Sequence, residues 1–155
     1  PLHLRLVGDG ALRPALVREV ERLGLGAAVS VEPRRSHDSL PSCYAEADLV
    51  VVPSVVDSGG DRDGLPNVVL EAMASARPVI ASDVGAIATG VRDGVTGRLV
   101  RPGDVDALAG AITELVDRPD LRRAFGDEGR RVAEEEFDLA ACTAAFCAVL
   151  EASHV

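Results

Sequence analysis

Lysine is absent from this 155-residue chain, and all 16 of its basic residues are arginine. Schiff-base chemistry and a P-loop lysine both need the amino group of lysine, so both are excluded. The 25 acidic residues outnumber the arginines and give a formal net charge of −9. Because nucleic acids and anionic membranes repel such a surface, we expect neither as a partner of this chain.

Cysteine and histidine are scarce. The three cysteines, Cys43, Cys142 and Cys147, are odd in number and form no C-x-x-C pair, which favours reduced thiols in the cytoplasm over disulfides. Cys142 and Cys147 are expected to be small core residues of the last helix. The three histidines lie far apart in the sequence, so we expect no metal site and no cofactor.

Long apolar runs are missing too, and none approaches the roughly 18 residues of a membrane-spanning helix. The chain starts at Pro1 rather than at a methionine and enters a strand-like run almost at once, which predicts a piece of a longer protein. Its hydrophobic content of 47% is sufficient for a core. We therefore expect one α/β domain over residues 1–155.

Strand-like and helix-like patterns alternate along the first two thirds of the chain. Strands are expected at residues 2–7, 28–31, 49–52, 78–81 and 98–100, and helices at 11–23, 39–47, 66–75, 104–117, 120–136 and 139–153. This order predicts a doubly wound, Rossmann-like parallel sheet with a helical C-terminus. Ligands of such sheets lie beyond the carboxyl ends of the strands, where the loops at 8–10, 53–67 and 82–85 are expected.

The stretch from Asp63 to Glu71 is the most informative for function. It leads from a loop rich in glycine and aspartate into a helix that is apolar on every side except at Glu71. Pro66 suits the first helical turn, and the amides of a helix start attract anions, phosphate above all. A carboxylate among apolar neighbours is costly unless a polar group meets it. Phosphate at the helix start and hydroxyls one turn deeper are what a nucleotide sugar offers.

Simpler interpretations exist for the same residues. Asp63 also suits a helix cap. Glu71 could be an ordinary solvated helix residue, but its apolar neighbours disfavour that interpretation. Gly8-Asp9-Gly10 suits a phosphate-binding nest of backbone amides, although an ordinary turn is the favoured interpretation. Arg13 stands where a dinucleotide fingerprint would have its third glycine, which excludes that fingerprint.

Nearly the whole chain resembles the C-terminal, donor-nucleotide-binding domain of retaining glycosyltransferases with the two-domain B fold, the large group 1, family 4 type with an E-x7-E-like motif. The matching segments are Leu6-Val7-Gly8-Asp9-Gly10, Leu40-Pro41 with Tyr44, Ala47 to Ser54, Asp63 to Ala74, Pro78 to Ser82 with Val84-Gly85, Arg92 to Gly97, and Pro102-Gly103-Asp104. The resemblance implies a Rossmann-like half of that fold, with the first strand and the N-terminal acceptor domain missing.

The resemblance also implies roles. Asp63 corresponds to the acid that contacts the donor sugar near the reacting carbon, and Glu71 to the acid that holds the ribose hydroxyls. The residues that hold the diphosphate and complete the donor site correspond to Gly64, Leu65, Pro66, Asn67, Val68 and Gly85. The implied reaction is transfer of a glycosyl group from a UDP- or GDP-type sugar with retained anomeric configuration, without a metal.

The chain departs from the family pattern at three places. Asp63 stands where the family has glutamate, and Ala86-Ile87-Ala88-Thr89 stands where the family usually reads Gly-Ile-Pro-Glu. The basic pair that clamps the diphosphate in the family would precede Leu2. We therefore expect that this chain alone does not catalyse sugar transfer. We also expect the chain to be cytoplasmic, with any membrane contact made through the missing half.

The main alternative is a non-catalytic nucleotide-sugar-binding or interaction module, which the Asp63 and Thr89 departures favour. Asp63→Ala in the full-length protein separates the two, because a binding module has no activity to lose. A phosphoacceptor signalling domain needs a lysine late in the chain, and this chain has none. A glycosidase with two carboxylates has no need of a phosphate site at a helix start.

Overall fold

A computed structural model describes residues 2–55 and 64–152 of the chain. It divides the chain into two compact units, residues 1–40 and 41–155. The first unit contains strand β1 (Leu4–Val7), helix α1 (Arg13–Arg22) and strand β2 (Val29–Glu32), followed by a 3-10 turn at His37–Ser39. The two strands are parallel, and Leu4 lies opposite Val29. Helix α1 returns the chain from one strand to the other, as a parallel pair requires.

The second unit holds a three-stranded parallel sheet. Its elements are α2 (Leu40–Glu46), β3 (Val50–Val52), α3 (Asn67–Ala74), β4 (Val79–Ser82), α4 (Ile87–Gly90), β5 (Gly97–Val100), α5 (Val105–Asp117), α6 (Pro119–Glu136) and α7 (Leu139–Ala152). The strand order is β3-β4-β5, and all four residues of the central strand are buried. Burial on both faces explains why this strand reads as a run without polar alternation.

Helix α6 lies against the end of α3. A Cβ atom on Gly126 would lie only 2.3 Å from the carbonyl oxygen of Ala76, so only glycine fits at this contact. Ile80, Leu115 and Phe125 form a buried cluster that joins the sheet to α5 and α6. The α6 contact therefore fixes the helix that carries Glu71.

The predicted fold class is confirmed. Every predicted strand is present in the described part of the chain, and its ends differ from the prediction by at most two residues. The parallel strands form two sheets, one in each unit. The prediction missed α4, because the glycines around this single turn of helix indicated a loop.

The prediction for Cys142 and Cys147 was wrong. Both thiols are exposed, and the Cys142 sulfur contacts the carbonyl oxygen of Glu136 at 3.5 Å. The apolar composition of α7 suggested burial, but burial requires a covering surface. Within the described residues nothing covers Leu139 and Phe146, which are 82% and 65% exposed.

Candidate functional site

The start of α3 lies at the carboxyl edge of the three-stranded sheet. Strands β3 and β4 are parallel neighbours, and α3 connects them. A crossover helix runs back along the sheet, so its N-terminus lies where the first strand ends. Gly85 follows β4 and therefore lies at the same edge. The fold thus brings two of the predicted donor-binding segments to one edge.

The backbone at the start of α3 differs from the expectation in one detail. Pro66 is extended, with φ −64° and ψ 137°, and immediately precedes the helix instead of forming its first turn. Its carbonyl oxygen accepts a hydrogen bond from the amide of Val69 at 3.0 Å. Among the described residues no side chain caps this helix start. Within the described residues, the amides of Asn67 and Val68 are therefore available to an anion.

The loop before α3 is anchored through Leu65. A Cβ atom built on Gly90 would lie 3.4 Å from Cδ1 of Leu65 and 3.6 Å from the sulfur of Met73. The glycine thus lets the loop pack closely against α4. Gly64 and Asn67 are exposed, whereas Leu65, Pro66 and Val68 are half-buried. An apolar anchor therefore holds a loop that has exposed residues on both sides of it.

Glu71 lies one turn inside α3 and is half-buried. Its helix neighbours Val69, Ala72 and Met73 are fully buried. The hydroxyl of Tyr44, on α2, donates a hydrogen bond to Oε2 of Glu71 at 2.7 Å. No arginine within residues 2–55 and 64–152 forms an ion pair with this carboxylate. The polar group that the sequence required beside Glu71 is thus a tyrosine.

Sequence reasoning missed Tyr44 as a partner of Glu71. The two residues are 27 positions apart, and nothing in the pattern of α2 indicates which helix its tyrosine faces. The available signal was composition, because Tyr44 is the single tyrosine of the chain. Burial, together with the neighbouring carboxylate of Glu71, raises the pKa of Tyr44 above its usual range. The phenol therefore keeps its proton and remains a hydrogen-bond donor to Glu71.

The loop after β4 turns sharply at Gly85, whose φ of +58° lies in the left-handed region that favours glycine. The short helix α4 begins directly after it. The hydroxyl of Thr89 donates to the carbonyl oxygen of Ala86 at 2.6 Å. Thr89, which stands where the family usually has glutamate, thus bonds to the backbone three residues before it.

Two other predicted features concern Asp63 and Asp9. Asp63 lies outside the described residues. In the first unit, Oδ2 of Asp9 accepts a hydrogen bond from the amide of Arg34 at 3.0 Å, and Oδ1 lies 3.8 Å from Nε of Arg13. Asp9 therefore ties together the loops that follow β1 and β2.

Among the residues that the structure describes, no three histidine, cysteine, aspartate or glutamate side chains are grouped as a metal site requires. In the same residues, no helix combines the length and apolar character needed to cross a membrane.

The parallel strands and crossover helices define the class of the protein as a Rossmann-like α/β domain. The family model described as "Glycosyl transferases group 1" matches residues 1–118. The chain belongs to this family, and it matches the C-terminal domain of its members.

Curated relatives are glycosyltransferases. The chain is 32% identical over 136 residues to an alpha-D-kanosaminyltransferase from Streptomyces kanamyceticus, a match that covers 88% of this chain and 34% of the relative. It is 42% identical over 118 residues to a D-inositol 3-phosphate glycosyltransferase from Nocardia farcinica, which covers 75% of this chain and 25% of the relative. The chain thus spans about a third or less of these relatives.

Solved structures agree in fold. A sucrose-phosphate synthase from Thermosynechococcus elongatus matches with a TM-score of 0.82 and 33% identity, over 98% of this chain and 38% of its own. The Anabaena protein HepE in complex with UDP-glucose matches with a TM-score of 0.83 and 26% identity, over 97% and 41%. The C-terminal domain of a group 1 family protein from Francisella tularensis matches with a TM-score of 0.70 and 27% identity, over 83% and 63%.

Proposed function

We propose that this chain is the donor-binding half of a retaining glycosyltransferase, which moves a sugar from a nucleotide diphosphate sugar to an acceptor. The observation that carries the proposal is the half-buried carboxylate of Glu71, held one turn behind the start of α3, which no side chain of residues 2–55 and 64–152 caps. The crystal structure of HepE, which matches 97% of this chain, is a complex with UDP-glucose. That similarity supports a nucleotide sugar as the ligand.

The proposed donor follows the polarity of α3. The diphosphate lies at the helix start, where the positive end of the helix dipole and the amides of Asn67 and Val68 favour an anion. Gly64 to Val68 supply that cradle, and Gly85 lies at the same edge of the sheet. One turn deeper, the carboxylate of Glu71 accepts hydrogen bonds from the ribose hydroxyls, because a carboxylate is an acceptor only.

Asp63 is assigned to the donor sugar through the family resemblance. We propose that the reaction passes through an oxocarbenium-like transition state, stabilised by charges and dipoles aimed at it in advance, without metal or cofactor. Retention of configuration is testable on the full-length protein, by nuclear magnetic resonance of the fresh product. A product with the opposite anomeric configuration to the donor would contradict the retaining mechanism.

The acceptor half belongs to the remainder of a longer protein. The curated relatives are three to four times longer than the part that this chain matches. We propose that residues 1–155 bind the donor in the cytoplasm but do not turn it over, and that any membrane contact is made through the other half. Sugar transfer by the isolated chain at the rate of the full-length protein would overturn this part of the proposal.

The donor site is tested by calorimetric titration of the chain with UDP, GDP and ADP. At least one of these nucleotides is expected to bind. Glu71→Gln is expected to weaken that binding about 10- to 100-fold, because a hydrogen bond to a charged group contributes roughly 1.5–3 kcal/mol. Glu134→Gln, which makes the same change at an exposed residue of α6, is the matched control and is expected to leave affinity unchanged.

Two results would contradict the donor site. If none of the three nucleotides binds, the proposal that the chain binds a nucleotide sugar is wrong. If the wild type and Glu71→Gln bind with equal affinity, Glu71 does not contact the nucleotide.

A non-catalytic nucleotide-sugar-binding module is the second candidate, and the Thr89 contact favours it. The hydroxyl of Thr89 is bonded to the carbonyl of Ala86, where the family usually presents a glutamate. A module of this kind binds nucleotides as above but supports no transfer in the full-length protein. Loss of activity in full-length Asp63→Ala would exclude it.

A further inference from the structure

Tyr44 is the only tyrosine of the chain, and its side chain is buried. Its helix, α2, is only seven residues long and precedes strand β3, in which Val52 is buried. The side chain is 9% exposed, yet it carries a hydroxyl that needs a partner when buried. That partner is the Oε2 atom of Glu71, at 2.7 Å.

The bond occupies one oxygen of the carboxylate and leaves the other available. Among residues 2–55 and 64–152, Tyr44 is the only side chain that donates to the carboxylate of Glu71. Oε1 therefore retains its acceptor capacity, and a carboxylate has about four acceptor positions in all. Two hydroxyls on adjacent carbons, as in a ribose, match the positions that remain.

The bond has a fixed direction. The phenol is the donor, since a carboxylate in its charged form can only accept. Burial, with a contribution from Glu71, raises the pKa of Tyr44, which preserves that direction throughout the neutral range. A glutamate side chain on an exposed helix samples many rotamers, and Tyr44 removes that freedom before any ligand arrives.

We propose that Tyr44 is a positioning residue that holds the Glu71 carboxylate ready for the ribose hydroxyls and thereby sets the preference of the site for ribose over sugars that lack them. This inference rests on the proposed function, because it assumes that Glu71 meets the ribose. Tyr44 itself touches no ligand; it acts through the carboxylate. A site built to bond a hydroxyl discriminates strongly against an analogue without it.

The test compares UDP with 2′,3′-dideoxy-UDP in calorimetric titrations of the chain. The wild type is expected to bind UDP about 10- to 100-fold more tightly than the dideoxy compound, because two charge-assisted hydrogen bonds are lost. Tyr44→Phe keeps the ring and removes the hydroxyl. It is expected to lower that ratio at least about threefold while leaving the affinity for the dideoxy compound unchanged.

Ser75→Ala is the matched control. The hydroxyl of Ser75 donates to the backbone carbonyl of Glu71 at 2.8 Å, so this variant removes a neighbouring hydroxyl that does not touch the carboxylate. Its ratio of affinities is expected to equal that of the wild type. A ratio that falls equally in Ser75→Ala and Tyr44→Phe would overturn the inference, because the effect would then be a general loosening of α3.

A spectroscopic test covers the case in which Tyr44→Phe does not fold. With Tyr44 as the sole tyrosine, a chain labelled with carbon-13 at the tyrosine Cζ gives a single signal in magnetic resonance spectra. UDP is expected to shift this signal, because ribose hydroxyls on Glu71 weaken its bond to Tyr44, and 2′,3′-dideoxy-UDP is expected to shift it less. Equal shifts at saturation would overturn the inference.

The two proposals fail in different ways. If the wild type binds none of UDP, GDP and ADP, the proposed function and this inference fall together. If Glu71→Gln abolishes the preference for ribose and Tyr44→Phe leaves it intact, the proposed function stands and only the role of Tyr44 is refuted.

Discussion

Helices α3 and α7 have similar compositions and opposite surroundings. Each is apolar along its length, and the single charged side chain of each is a glutamate, Glu71 in α3 and Glu151 in α7. In α3, three residues are buried and Glu71 is hydrogen-bonded to Tyr44. In α7, the large apolar residues are mostly exposed and Glu151 faces solvent. Composition therefore does not decide burial; the neighbouring elements do.

The difference concerns function as well as stability. A carboxylate in water has a complete hydration shell and no fixed direction, so Glu151 is not prepared for any ligand. Glu71 has lost part of that shell and keeps one bond to a buried donor. The hydrogen bond from Tyr44 thus offsets part of the free energy that desolvation of the Glu71 carboxylate costs. It also fixes the orientation of the carboxylate, as a binding residue requires.

The largest expected effect comes from truncating a core residue of α3. Met73→Ala removes a side chain with 0% exposure and is expected to lower the free energy of unfolding by about 2–5 kcal/mol, because it leaves a cavity. Phe146→Ala in α7 is the matched control and is expected to change it by less than about 0.5 kcal/mol. Denaturant titrations measure both. Equal losses would mean that α7 is covered in solution.

Close packing between α6 and α3 gives the next effect. Gly126→Ala places a Cβ atom against the carbonyl oxygen of Ala76, and is expected to destabilise the chain by about 1–3 kcal/mol through overpacking. Gly110→Ala, in α5, meets no atom within 4 Å and is expected to be neutral or to stabilise by up to about 1 kcal/mol. Thermal unfolding distinguishes the two, and a stabilised Gly126→Ala would refute the contact.

Ionisation of Tyr44 reports on the environment of Glu71. The pKa of Tyr44 is raised in the folded chain. Its contribution to the free energy of unfolding is therefore complete below about pH 10, the ordinary pKa of tyrosine. That contribution is lost as the pH rises through the pKa of the folded chain. Ultraviolet absorbance of tyrosinate follows it without interference, because the chain has no tryptophan.

Glu71→Gln is expected to lower the pKa of Tyr44 only in part, because burial is the larger cause and remains. Glu134→Gln serves again as the control and should leave it unchanged. A tyrosine that ionises near pH 10 in the folded wild type would contradict the buried hydrogen bond.

The smallest effect concerns the end of α3. Ala76 has a φ of +53°, in the left-handed region that costs a residue with a Cβ atom free energy. Ala76→Gly is expected to stabilise the chain by up to about 1 kcal/mol, as glycine does at helix ends of this kind. Ala74→Gly, at the last residue of the same helix, should instead destabilise the chain by up to about 1 kcal/mol. If both variants shift the unfolding midpoint alike, the strain at Ala76 is absent.

Much of this fold could be predicted because its signals are local. The β-branched run before Pro53 and the run after Pro78 predicted β3 and β4, and Asp104 predicted the start of α5, where its Oδ1 accepts from the amide of Ala107 at 2.9 Å. The single turn of α4 escaped prediction because its surrounding glycines indicate a loop equally well.

The candidate site could be predicted in part for the same reason. The loop at 64–68 and the carboxylate of Glu71 are close in sequence, so their relation follows from helix geometry alone. The bond to Tyr44 links residues of different helices, and no spacing rule specifies it. The role of Asp63 stays a prediction, since it lies outside the described residues.

The sequence by itself determined the alternation of strands and helices, the glycines at the sharp turns and the isolation of one carboxylate in an apolar helix, because each depends on neighbouring residues. Only the tertiary structure decided that α3 is buried, that α7 is not, and that Tyr44 meets Glu71. Burial and long-range hydrogen bonds depend on which surfaces come together, and equal compositions can therefore have unequal environments.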